Sequence, residues 1–94
     1  MAVGILTLQI HLPGCNSLKE KRSRLKPLLA RLRREFNISV AEVDRQDAWQ
    51  EAVIACALVS NHCGHSERSL HSVIEWIETH WPDVAITDDH IEIL

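Results

Sequence analysis

Tyrosine is absent, and the only other aromatic carbocycles are Phe36, Trp49, Trp76 and Trp81. A sheet that reads RNA by stacking bases needs aromatics in the middle of its central strands. None of these four is so placed, and the basic-aromatic signature of an RNA recognition motif is missing, so that mode of binding is not expected. Cysteine is scarce too. Cys15, Cys56 and Cys63 form no CxxC pair and leave one thiol odd. That argues against a disulfide scaffold and for reduced thiols in a cytoplasm. No apolar run approaches membrane-spanning length. The opening "MAVGILTLQIHLPG" lacks the basic n-region of a signal peptide, so a cytoplasmic location is expected. Linkers, low-complexity tracts and short repeats are also absent. Basic residues are rare outside one stretch. Lys19 to Arg34 holds eight of them against one acid, Glu20, whereas the remainder has Arg45 and Arg68 against twelve acids.

What is present fits one domain spanning residues 1–94. Apolar residues make up 46% of the chain, enough for a core. Residues 3–12 alternate, with Leu6, Leu8, Ile10 and Leu12 on one face and Ile5, Thr7, Gln9 and His11 on the other, so they form a strand. Ser17-x-x-Glu20 is a capping box that opens a helix. Leu18, Leu25, Leu28, Leu29, Leu32 and Phe36 fall in one arc of it, roughly 100° wide. Pro27 lies opposite the arc and predicts a kink, not a break. "NISVAEVD" is a second strand whose parity slips between Val40 and Val43, predicting a bulge or an edge position. "WQEAVIACALVS" is a third, apolar at every position from Ala52 to Val59. A second helix starts near "NHCGH", capped by Asn61 or Gly64, and ends before Trp81-Pro82. "VAITDDHIEIL" is a fourth strand with a parity slip at Asp88-Asp89.

Strand, helix, strand, strand, helix, strand is the ferredoxin-like βαββαβ order, an α+β fold. Right-handed crossovers then place both helices on one face of a four-stranded antiparallel sheet. The other face stays open. Its apolar character calls for cover, and a homo-oligomer, first of all a dimer, is expected there.

"HLPGCNSLKEKR", "FNISVAEVDRQDAWQ" and "VSN" together resemble the YlxP-like family, the bacterial domain of unknown function 503. The resemblance covers nearly the whole chain, and "SLKEKR" and "VAEVD-QD-WQ" are its most specific parts. It implies a ferredoxin-like fold. Genes of that family commonly neighbour those for a translation initiation factor and a ribosome-binding factor, which implies a role in ribosome maturation or translation. It carries over no catalytic residue. Pro27 and "HCGH" depart from the usual pattern.

The candidate nucleic-acid contacts are Lys19, Lys21, Arg22, Lys26 and Arg33. A one-sided cationic stripe can neutralise backbone phosphates and release counterions. The plainer alternative, a solvated helix face, would be better served by Glu-Lys pairs than by so skewed a composition. The expected partner is ribosomal RNA or a ribosomal subunit, with no membrane involved. Glu42, Asp44, Asp47 and Glu51 surround Trp49 on the hairpin. Trp49, Asp44 and Asp47 are candidate contacts for a protein partner, against solvated charges that discourage edge pairing. His62, Cys63 and His65 are zinc-ligand types, but adjacent residues rarely converge on one ion, so no metal or other cofactor is expected. The loop from Gly14 to Ser17 offers amides at a helix start, as an acylphosphatase-like enzyme would need. Cys15 has no paired base nearby in sequence, and a non-catalytic protein is expected.

Overall fold

The computed structural model describes residues 1–94. Strand β1 spans Ala2–His11, helix α1 Leu18–Glu35, β2 Ser39–Asp44, β3 Glu51–Ser60, helix α2 Cys63–His80 and β4 Ala85–Ile93. The sheet order is β2-β3-β1-β4, with every neighbouring pair antiparallel. This is the ferredoxin-like α+β fold. The two longest strands lie at the centre because their even-numbered residues are small or apolar from Ala2 to Ile10 and from Ala52 to Leu58. Leu6, Leu8 and Ile10 of β1 are buried beside Ile54 and Cys56 of β3. Leu25, Leu28 and Leu32 of α1 and Leu70, Val73 and Ile77 of α2 close over them. Both helices therefore cover one sheet face.

Gly4 marks where α2 comes nearest to β1. A Cβ there would lie 2.9 Å from Leu70 Cδ1 and 3.3 Å from Ser66 Cβ. The Cys56 thiol sits in the same layer, and burial pushes its pKa up to about 12.

The two parity slips are one-residue irregularities in the edge strands. In β2 the register shifts between Glu42 and Asp44. In β4, Gln9 pairs with Asp88 and Ile10 with Ile86, so Thr87 is the extra residue, not the Asp88-Asp89 step. The Thr87 hydroxyl donates to the Gln9 carbonyl and holds the bulge. Helix α2 is capped by neither Asn61 nor Gly64. His62 is the cap residue, and its side chain makes no capping bond. The buried Ser66 hydroxyl bonds that of Ser60 instead, tying the first turn of α2 to the end of β3. Helix α1 runs unbroken through Pro27.

Candidate nucleic-acid interface

Helix α1 begins as its capping box dictates. The Ser17 hydroxyl accepts the Glu20 amide at 3.0 Å, and the Glu20 carboxylate accepts the Asn16 amide at 2.9 Å. Glu20 thus occupies the anion position that the Gly14–Ser17 loop would have to offer a phosphate. Cys15 is fully buried in the core, and its thiol faces the Ser17 carbonyl. In that loop the Asn16 amide is therefore already taken, and the Cys15 thiol is not accessible.

The basic residues of α1 divide into three groups. Lys21 forms the first by itself, and the structure removes it from the expected cationic surface. It is 1% exposed. Its ammonium donates to the carbonyls of Arg45 at 2.7 Å and Ala48 at 2.8 Å. The Glu42 carboxylate lies 2.7 Å away as an ionic partner, although Oε2 takes no well-directed hydrogen bond. Two hydrogen bonds and one ionic contact enclose the buried ammonium, so it is not open to an external anion. Arg45 is held at φ 61, a left-handed conformation uncommon outside glycine, with its carbonyl on the ammonium. Periodicity alone carries the signal for this burial. Positions 21, 25, 28 and 32 step by four, three and four, which is one helical stripe.

The second group faces α2. Arg24 donates to the carbonyls of Pro13 and Asp83 at 2.8 and 2.7 Å. Arg31 pairs with Glu35 at 3.4 Å and lies 5.4 Å over the Trp76 ring. Trp76 also stacks on His80 and Trp81 and meets Phe36 edge-on. Three of the four aromatic residues are therefore gathered at the helix junction, away from the open sheet face.

The third group is the opposite flank. Arg22, Arg33, Lys26 and Lys19 follow one another within about 60° of the helical wheel and span about 21 Å along the axis. All four are exposed. Arg33 donates once, to the Val40 carbonyl of β2, which fixes this flank on the β2 side. Lys19, Arg22 and Lys26 make no ion pair or side-chain hydrogen bond within the protein, nor does Arg34 beside them.

The hairpin acids are mostly engaged. Glu42 faces Lys21, Glu51 bonds His11 at 3.0 Å, and Asp44 caps the Arg45 amide at 2.8 Å. Asp47 has no partner, and Trp49 is 53% exposed. Gln50 ties the loop to the Cys15 carbonyl at 3.2 Å. Of the three candidate protein contacts, Asp44 is spent partly on the turn, while Asp47 and Trp49 remain available.

A family model described as "Protein of unknown function (DUF503)" matches residues 3–91. The chain belongs to the DUF503 family. "Uncharacterized protein YlxP" of Bacillus subtilis (strain 168) is 33% identical over 85 residues, covering 90% of this chain and 91% of that protein. The two stretches that carry the DUF503 resemblance meet in space. "SLKEKR" brings Lys21 to Glu42, Arg45 and Ala48 of "VAEVD-QD-WQ". Their contact is a clamp between α1 and the β2–β3 loop, made by Lys21 of the first stretch with the Glu42 carboxylate and two backbone carbonyls of the second. The free cationic flank is additional to that clamp. No helix of the chain is long and apolar enough to cross a membrane.

Proposed function

We propose that this DUF503 protein is a non-catalytic RNA-binding protein that docks on ribosomal RNA or a ribosome assembly intermediate. The contact is the β2-side flank of α1, with Lys19, Arg22, Lys26 and Arg33 on phosphates and Arg34 at its margin. One observation carries the reading. Folding consumes the cations that face α2 and the hairpin, yet leaves Lys19, Arg22 and Lys26 unpaired on this exposed flank, with Arg33 held there by one bond to the Val40 carbonyl. The gene neighbourhood implied by the family resemblance points the same way.

The site lacks stacking aromatics, so it reads backbone charge and shape rather than sequence. Four phosphate contacts would give a slope of about −3 to −4 in log K against log salt on duplex RNA. The test is co-sedimentation with ribosomal subunits at low and high salt. The wild type should pellet with them at low salt and release at high salt. Reversal of Lys19, Lys26 and Arg33 to Glu should abolish pelleting. A wild type that never pellets, or a reversal that pellets equally, overturns the proposal.

A further inference from the structure

The open sheet face is apolar along its centre and self-neutralised at one end. Strands β1 and β3 present Val3, Ile5, Thr7 and Gln9 beside Val59, Ala57, Ala55 and Val53. Glu51 is the one acidic residue on this face of these two strands, and its carboxylate lies 3.0 Å from His11 Nδ1. Strand β4 carries Glu92, His90 and Asp88 on this face, beside Ile5, Thr7 and Gln9. Strand β2 carries Ser39 and Ala41 beside Ala57 and Ala55 and, past its bulge, Asp44 beside Val53. Val59 is 67% exposed and Val43 50% exposed.

We propose that a second copy of this chain covers the face, related by a two-fold axis that lies in the interface parallel to the strands. This proposal is independent of the RNA reading. A face-to-face pair has two regular choices of in-plane axis. An axis across the strands stacks β4 on its own copy and brings Asp88 and Glu92 against the partner's acidic strand. An axis along the strands stacks β4 on the partner's β2, with Asp88 over Asp44, and β1 on the partner's β3, so that His11 and Glu51 meet each other across the interface instead of the partner's Val3 and Val59, as the axis across the strands would require.

The second choice preserves position along the strand. His11 of each protomer then faces Glu51 of the other, so the two His11–Glu51 contacts cross. Ile5 faces Ala57, a large side chain over a small one, on both sides of the axis. Sheets that pack face to face approach to about 10 Å through such interdigitation. The size also fits. Strand lengths of 10, 10, 9 and 6 residues give about 550 Å² of flat sheet per protomer. The corrugated accessible surface exceeds that, which brings the pair to the lower end of stable interfaces, about 1,200 Å² in total. Such an area suits a reversible dimer.

The register supplies a specific test. Ala41, Ala55, Thr7 and His90 form one row across the sheet. Within a protomer Ala41 and His90 lie three strand spacings apart, about 14 Å. Across the proposed dimer each faces the other. In a Cys63→Ser background, Cys15 and Cys56 stay buried. Ala41→Cys combined with His90→Cys should then be joined between protomers by a short bis-maleimide, whereas His90→Cys alone should not.

Sedimentation equilibrium should show a monomer–dimer exchange for the wild type. Val59→Glu places a charge on a side chain already exposed in the protomer, so it leaves the fold intact. It should weaken dimerisation about a hundredfold with unchanged circular dichroism. A wild type monomeric at every concentration, a Val59→Glu protein that dimerises as tightly, or a trimer or open polymer overturns the proposal. Crosslinking of His90→Cys to itself overturns the axis.

Discussion

Lys21 shows how one side chain can belong to the core while looking like surface. Its stem fills the stripe of Leu25, Leu28 and Leu32, and its ammonium donates to two loop carbonyls and balances the charge of the Glu42 carboxylate. Lys21→Met would keep the volume and remove the charge. It would leave Glu42 without its cation and two carbonyls without donors. Urea unfolding should show a loss of about 3 kcal/mol. Adding Glu42→Gln should recover part of it, because the uncompensated carboxylate is then gone. A Lys21→Met protein as stable as wild type would mean that the clamp contributes nothing to folding.

Cys56 gives a second residue-scale expectation, and its sign follows from burial. The folded thiol holds its proton to about pH 12, whereas an unshifted thiol releases it near 9.0. Between those values the unfolded chain binds fewer protons than the folded one. Stability should therefore fall as pH rises, by about 1.4 kcal/mol per pH unit. From about pH 8 to about pH 10.5 the loss from this thiol alone is roughly 2 kcal/mol. The absence of tyrosine removes one competing titration from this range. Urea midpoints for Cys56→Ala, less stable at pH 8 because of its cavity, should decline less steeply with pH. Parallel slopes would refute the assignment.

At the scale of elements, much was legible because each element carries its own local rule. Alternation in β1 identified the helix-facing set Leu6, Leu8, Ile10 and Leu12, all fully buried. The capping box placed the start of α1, and Trp81-Pro82 placed the end of α2. The slip in β2 showed in its parity, since a bulge must move side chains to the other face. The failures were at positions where a tertiary partner overrides a local preference. Asn61 is a better cap by propensity than His62, but the Ser60–Ser66 hydroxyl bond fixes the entry of α2. The β4 bulge falls at Thr87 because its hydroxyl finds the Gln9 carbonyl, a partner 78 residues away. The wheel drew the apolar arc of α1 from hydrophobic letters alone. It therefore counted Lys21 among the cations, although its position lies between Leu28 and Leu32. The flank itself was legible as a pattern, but not its division into spent and free charges. That division depends on where Pro13, Asp83, Trp76 and Val40 stand in three dimensions.

At the scale of the whole molecule, the two proposals constrain each other. Each α1 flank lies on the β2 side of its protomer, while the proposed interface uses the opposite sheet face. Dimerisation therefore leaves both flanks accessible. An axis along the strands sets the β2 edge of one protomer over the β4 edge of the other, so the two flanks point away from each other. One short duplex cannot then touch both, and no avidity arises. Calorimetric titration with a short RNA duplex should give two duplexes per dimer. Val59→Glu should bind with the same affinity per protomer as the wild type. An axis across the strands would bring both β2 edges to one side, giving one duplex per dimer and tighter binding by the dimer than by the monomeric variant. The stoichiometry thus separates the two assemblies, and either value requires that the flank bind RNA at all. Equal affinity with two duplexes per dimer would describe a protein that bridges two RNA segments, each held by one cationic flank.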